Sequence, residues 1–179
     1  MISDVRTSIV ESSERNKNLK SFFFIKEEEY IKKMKVAGGL KEDGTMVGNT
    51  YDKYGSRNPV ARLLMGGFEK ALSSLVKCAM PKTIHEIGCG EGYWTLNWKK
   101  EGFDARGTDF SPKVIDIARS NAIELGIYPS VFHVKSIYDL NAERDSADLV
   151  VCCEVLEHLE YPEKGLAVLS QIARDHQIG

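Results

Sequence analysis

The stretch Thr83-Ile-His-Glu-Ile-Gly-Cys-Gly-Glu-Gly92, followed by Tyr93 and Trp94, decides the fold of this chain. Thr83 to Ile87 is a short β-branched strand that closes on Gly88. Gly88 permits a tight turn, Gly90 lets the backbone approach a ligand closely, and Gly92 lets the next helix press against the strand. Glu86, at the strand's end, can accept hydrogen bonds from a ligand's amine. Seventeen residues past Gly92 lies Asp109, at the end of the second predicted strand, where a carboxylate can take both hydroxyls of a ribose. A dinucleotide loop would read GxGxxG and hold a pyrophosphate at the helix N-terminus. Here the third glycine comes one residue early, and Tyr93 and Trp94 are bulky where a diphosphate needs space. The loop therefore suits a nucleoside ligand without phosphates; the plainer alternative is a glycine turn beside an unrelated surface Asp.

Outward from the loop, strands and helices alternate. Tyr93 to Lys100 reads as a helix stopping at Gly102, Ala105 to Thr108 as a second strand, and Ser111-Pro112 as the cap and first turn of another helix. That helix buries Val114, Ile115, Ala118, Ala122 and Leu125 and ends at Gly126. Val131 to Val134 is a third strand and Leu149 to Cys153 a fourth, continuously apolar as a strand covered on both faces would be. A last helix runs from about Pro162 to Ala173. The alternation predicts an α/β fold, a parallel sheet built from right-handed βαβ units. Upstream, Asn58-Pro59 opens a helix in which Val60, Leu64, Phe68, Leu72, Leu75 and Val76 form an apolar stripe, and Pro81 closes the segment. Residues 1–57 read as a mobile or loosely helical N-terminal extension carrying the apolar patch Phe22 to Ile25, and residues 58–179 as the ligand-binding domain, C-terminally incomplete.

Composition bounds the partners. The 179 residues hold 24 Lys plus Arg against 26 Asp plus Glu, a formal charge of -2, so no global basic field draws nucleic acid or anionic lipid. The longest nearly apolar run, Leu149 to Leu156, is broken by Glu154 and is too short to cross a bilayer. The first residues, with Asp4, Arg6 and Glu11, do not read as a signal peptide. Cys78, Cys89, Cys152 and Cys153 show no CxxC spacing and suit the reduced cytoplasm. Adjacent Cys152 and Cys153 should point to opposite faces of the sheet. The expected partner is a small molecule, with neither nucleic acid nor membrane.

Three segments in order, HEIGCGEG (85–92), GTDFSP (107–112) and DLVVCCEVLEHL (148–159), resemble the first, second and fourth motifs of class I S-adenosylmethionine-dependent methyltransferases. The resemblance covers about residues 58–170 and is nearest to the small-molecule branch that includes ubiquinone-biosynthesis O-methyltransferases. It implies a Rossmann-like parallel sheet and S-adenosylmethionine as cofactor. It implies that Glu86, Gly88 and Gly90 line the methionine part, that Asp109 holds the ribose, and that Phe110 lies beside the adenine. The family often places Asp where this chain has Ser136; Ser136 and the Ile137 N–H would then meet the adenine. An upstream Arg anchors the methionine carboxylate in similar enzymes, and Arg62 is the matching residue, its alternative being a solvated helix charge. Tyr51 and Tyr54, just before the Asn58 helix, can close over the cofactor as a lid and interact with its sulfonium; core aromatics are the alternative.

Glu154, Glu157 and His158 follow the fourth strand, and on a helical turn positions i, i+3 and i+4 share a face. Three readings stand. Glu154 and the Cys153 backbone border the cofactor while His158 is the general base, its ordinary pKa being near neutrality. Alternatively the triplet binds a divalent ion such as Mg²⁺ or Mn²⁺, which is not favoured. In the third, His158 packs and the carboxylates cap the helix start. His85 and His133, in or beside strands, are structural, and His176 has no assigned role.

The resemblance also implies seven strands in the order 3-2-1-4-5-7-6, of which four are readable here. The fourth would be left as an apolar edge. A partial chain, pairing with a second copy in a homodimer, or residues 1–50 folding back over the edge would each resolve this. The leading function is methyl transfer to a small-molecule oxygen or nitrogen. A cofactor-binding module without turnover is the alternative, and a nicotinamide-dependent oxidoreductase is disfavoured by the early third glycine.

Overall fold

The computed structural model describes residues 34–42, 45–48 and 58–174. The chain divides into Met1–Met34 and Lys35–Gly179, and the architecture below belongs to the second unit. The Phe22 to Ile25 patch, the Tyr51 and Tyr54 lid and His176 lie outside the described residues.

The elements follow the alternation in the sequence. A small antiparallel pair, β1 (Lys41–Glu42) and β2 (Thr45–Met46), comes first. Helix α1 (Pro59–Ala79) begins where Asn58 accepts the Val60 N–H at 2.9 Å, and Pro59 occupies its first turn without a wasted donor. Then come β3 (Thr83–Ile87), α2 (Tyr93–Lys100), β4 (Asp104–Asp109), α3 (Pro112–Glu124), β5 (Phe132–Val134), α4 (Ala142–Asp145), β6 (Leu149–Cys152) and α5 (Pro162–Ile172). Ser111 caps α3 by accepting the Val114 N–H at 3.3 Å.

β3 to β6 form one parallel sheet in the order β5-β4-β3-β6. This is the 3-2-1-4 half of the order the resemblance implies, and its first strand is the one that carries the glycine turn. Two apolar layers enclose it. On one face Ile84, Ala105 and Val151 pack with Trp94 and Trp98 of α2 and Val76 of α1. On the other, Ile87 packs with Ile137, Leu140 and Ile172, joined by Val150 and Cys152. Cys153 belongs to the first cluster and Cys152 to the second, so the two cysteines do point to opposite sides. Asp148 locks the lower end by accepting from the Lys82 and Thr83 N–H groups at 2.9 and 3.0 Å.

The apolar pattern of α1 is used over part of its length. The α1 stripe is only half used: Leu72 and Val76 pack on the tryptophans, but Val60, Leu64 and Leu75 remain 64%, 68% and 67% exposed. The helix is longer than the sheet layer it covers, so helical periodicity runs on past the part that finds a partner. Of residues 1–50, one of the expected covers for the β6 edge, only 34–42 and 45–48 are described, and there Ala37 and Val47 bury against Val114 of α3. Among the described residues β6 itself pairs only with β3, while Ala147, just before it, is bridged in parallel to Ala173.

His85 is fully buried in mid-strand. Its Nδ1 lies 2.8 Å from the Asp145 carbonyl, which can only accept, so Nδ1 carries the hydrogen and Nε2, 3.2 Å away, accepts from the Thr108 hydroxyl. Burial lowers its pKa from 6.5 to about 4. The folded protein thus binds fewer protons here than the unfolded chain between pH 6.5 and 4. Its contribution is complete above pH 6.5 and is lost as pH falls through that window, about 3 kcal/mol in all. The His85→Gln variant is expected to lose this acid-limb slope in denaturant unfolding measured from pH 7 to 4. An unchanged slope would mean that the imidazole titrates normally.

Candidate functional site

A cavity of about 270 Å³ opens beyond the C-terminal ends of β3 and β6. Its floor is the glycine turn, its sides are Tyr93 and Trp94 of α2 and Cys153 and Glu154 after β6, and its roof is Leu64, Met65 and Phe68 of α1. Leu64 and Phe68 of the α1 stripe, exposed to 68% and 40%, are therefore the part that overhangs the site. An edge-to-face contact between Phe68 and Trp94, with centroids 6.0 Å apart, holds the roof to the wall.

The turn is shaped by backbone. Gly88 and Cys89 donate to the Thr108 carbonyl at 2.8 and 3.0 Å, which holds the bend against β4. Gly92 starts α2 at φ +87, and a Cβ there would run into the Phe132 ring of β5, so only glycine lets the helix sit this close to the sheet. At Gly88, φ +72, a Cβ would strike Val155.

Glu86 points up from β3 into the cavity wall and is only 7% exposed. Its Oε2 accepts from the Thr95 N–H at 2.9 Å and from the Thr95 hydroxyl. Burial pushes its pKa up to about 8, against the opposing pull of those two donors. A cation seated beside it would favour the ionised form. Asp109 ends β4 next to the turn: Oδ2 accepts from the Gly90 N–H at 3.1 Å and Oδ1 from the Ser111 N–H at 3.0 Å. Burial raises its pKa as well, opposed by the same N–H groups. The Lys135 N–H donates to the Asp109 carbonyl at 2.8 Å, so β5 delivers Ser136 and Ile137 beside the same corner. Phe110 follows Asp109 and is 55% exposed.

The candidate residues fall into groups. Glu86, Gly88, Gly90, Cys153 and Glu154 line the cavity, and Asp109 is hydrogen-bonded to it through Gly90. Ser136 accepts the Tyr138 N–H at 3.3 Å, and the Ile137 side chain is buried in the core, which leaves its backbone as the part that can meet a ligand. Arg62 is exposed on α1, one turn before Met65. Tyr54 lies outside the described residues. Glu154, Glu157 and His158 do not share one helical face: Glu154 is left-handed at φ +54 and only Leu156–His158 forms a 3₁₀ turn. The irregular chain after β6 interrupts the spacing on which that expectation rests. His158 is exposed and outside the cavity lining. Among the described residues no three His, Cys, Asp or Glu side chains converge as a metal site would. Glu91, 3% exposed, also lines the cavity; its one signal in the sequence is its place between two loop glycines of HEIGCGEG.

Comparison with known proteins is consistent with this geometry. Residues 85–177 match a family described as a methyltransferase domain. A ubiquinone biosynthesis O-methyltransferase of Photorhabdus laumondii is 30% identical over 95 residues, 52% of this chain and 39% of that protein. The enzyme of the same description from Xanthomonas euvesicatoria is 33% identical over 80 residues, 44% of this chain and 33% of that one. The chain thus spans well under half the length of these relatives. Among solved structures, the magnesium protoporphyrin IX methyltransferase of Synechocystis PCC 6803 with bound SAM shares the fold at a TM-score of 0.53 and 22% identity, over 66% of this chain and 61% of that chain.

Proposed function

This chain belongs to the methyltransferase domain family, with the class I fold, and from that premise we propose that it binds S-adenosylmethionine and transfers its methyl group to a small-molecule oxygen or nitrogen. The observation that carries the proposal is the hydrogen bond from Gly90 to Asp109, which puts a carboxylate at the lip of a glycine-floored cavity. In this reading the Asp109 carboxylate takes the ribose diol and Phe110 covers one side of the adenine. Ser136 and the Ile137 N–H meet its edge. The methionine amino group lies toward Glu86, whose carboxyl ionises as the cation arrives, and Arg62 reaches for the methionine carboxylate. Tyr93, Trp94 and Phe68 keep the sulfonium out of water.

The transfer is an in-line displacement. When bound, S-adenosylmethionine would supply an electrophilic methyl on its sulfonium, to be taken in line by an acceptor lone pair with the neutral thioether as leaving group. If the acceptor is a hydroxyl its proton must go to a base; we assign this to His158, on the turn that follows Glu154 at the cavity mouth. Positioning supplies the rest, by holding donor and acceptor in contact. A labelled-methyl assay across phenols, carboxylates and amines tests the activity. His158→Ala is expected to lower turnover by about 10²–10⁴-fold with S-adenosylhomocysteine affinity nearly intact. Loss of both together would give His158 a structural or metal-binding role instead.

The setting we propose is the cytoplasm, where four free cysteines are stable. Among the described residues no helix is long and apolar enough to cross a membrane. A second copy pairing along β6 is the protein partner this reading would add.

A further inference from the structure

The glycine turn is tied to a part of the chain more than fifty residues upstream. Asn121 of α3 is 1% exposed, and all of its hydrogen bonds go to backbone. Its Nδ2 donates to the Glu91 carbonyl at 3.0 Å and to the Lys35 carbonyl at 3.1 Å, and its Oδ1 accepts the Lys35 N–H at 3.0 Å. Glu91, inside the turn, accepts the Ala37 N–H on Oε1 at 2.9 Å. Gly48 closes the joint from the other end of the same segment. A Cβ there would stand 2.7 Å from the Ala37 methyl and 2.8 Å from Glu91 Oε1. Three pieces of chain, residues 35–37, the glycine turn and α3, so meet in one buried polar joint. The apolar layers of the sheet pack without it: Ile115, Ala118 and Ala122 anchor α3, and Trp94 and Leu96 anchor α2.

We infer that Asn121 is a positioning residue for the cofactor loop, and that docking of residues 35–48 and occupancy of the cavity reinforce each other. The inference rests on the proposal that the loop holds S-adenosylmethionine. Glu91 is flanked by Gly90 and Gly92, both at positive φ, where a chain without side chains has the widest choice of backbone conformations. Fixing the Glu91 carbonyl from α3 and its carboxylate from Ala37 selects one of those conformations, the one whose Gly90 N–H faces Asp109. A loop released from this clasp samples others, and apparent affinity falls by the fraction of time spent in them. By linkage, a cofactor that selects the same loop conformation must tighten the clasp in return.

Hydrogen exchange on the full chain, with and without saturating S-adenosylhomocysteine, reads both directions. In the unmodified protein the ligand is expected to slow exchange at Lys35 to Leu40, which are not among the cavity's lining residues, by about tenfold, within the range of ordinary coupling between sites. The Asn121→Leu variant should keep its circular dichroism and the protection of β3 and β4. It should bind about tenfold more weakly in calorimetry and lose the ligand-dependent protection at Lys35 to Leu40. A residue that only stabilised the fold would lower protection everywhere and leave the ligand-dependent difference in place. Ala37→Pro removes the N–H that Glu91 accepts without altering α3 or the turn, and should move both readings the same way. Should Asn121→Leu fail to fold, this variant and the unmodified protein carry the test. Ligand binding with unchanged exchange at Lys35 to Leu40, or a folded variant within about twofold of the original affinity, overturns the coupling alone. Absence of any S-adenosylhomocysteine binding to the unmodified protein overturns the reading of the site along with it.

Discussion

Replacing Asp109 with alanine is expected to weaken S-adenosylhomocysteine binding by about 5–150-fold, the consequence of roughly 1–3 kcal/mol of unpaired polar groups. Two losses combine. The Gly90 and Ser111 N–H groups lose the acceptors they have at 3.1 and 3.0 Å, which loosens the turn before any ligand arrives. The ribose hydroxyls then lose the carboxylate proposed to hold them. The two are separable with a 2′-deoxy analogue of the ligand. In the unmodified protein the missing hydroxyl should lower affinity; in Asp109→Ala the same deletion should cost little, because its partner has gone. An equal effect of the deletion in both proteins would show that Asp109 shapes the turn without touching the sugar.

The second large effect is on the fold. Gly92→Ala is expected to destabilise the protein by about 2–5 kcal/mol. An L-residue held in the left-handed region costs roughly 1–2 kcal/mol, and forcing a methyl into a packed interior roughly 1–3 more. The crowding is specific: the added carbon would lie 2.9 Å from Phe132 Cε1 and nearer still to Cζ, and Phe132 is fully buried at the sheet's edge strand. A destabilisation of that size is a large share of the stability of an ordinary domain and should lower the melting temperature by roughly 5–15 °C. Because only the steric share depends on the ring, Phe132→Leu in the Gly92→Ala background should cost less than Phe132→Leu alone. Additive costs in that double-mutant cycle, or a Gly92→Ala protein as stable as the original, would contradict the close approach of helix and sheet.

Much of this was legible in the chain because it is written in local patterns. The Asn58-Pro59 and Ser111-Pro112 pairs announce helix starts through their own cap chemistry, and the structure places caps at both. The early third glycine followed by Tyr93 and Trp94 separates this loop from a diphosphate cradle, and those two aromatics do occupy the cavity wall. What stayed hidden depends on meetings between distant residues. Leu64 and Phe68 fit an apolar stripe whether they lie in a core or over a cavity, since periodicity reports a face and not what covers it. The Asn121 clasp joins residues 86 positions apart through backbone groups, which every residue carries, so no side-chain pattern marks it. The ExxEH spacing invited a helix because helical neighbours share a face. Glu154 at φ +54 breaks the run before it begins, and a left-handed glutamate has no sequence signature beyond its being uncommon.

The left-handed Glu154 and the raised pKa of Glu86 lie on the same cavity, which is where local cost is ordinarily tolerated for the sake of a ligand. Glu86 also makes the cavity sensitive to the charge of what enters. Its carboxyl, raised by burial to about 8, should drop toward ionisation beside an ammonium group, so binding of such a ligand near pH 7 is expected to release a proton. A nicotinamide dinucleotide, which brings phosphates, would meet Glu86, Glu91 and Glu154 with no lysine, arginine or histidine among the lining residues to receive it.

That contrast defines the decisive measurement: calorimetric titration of the full chain with S-adenosylhomocysteine and, in parallel, with NAD. The account predicts saturable one-to-one binding of S-adenosylhomocysteine, with a heat that changes with the ionisation enthalpy of the buffer, and no binding of NAD. Saturable binding of NAD without S-adenosylhomocysteine, or a silent titration with both, would contradict it.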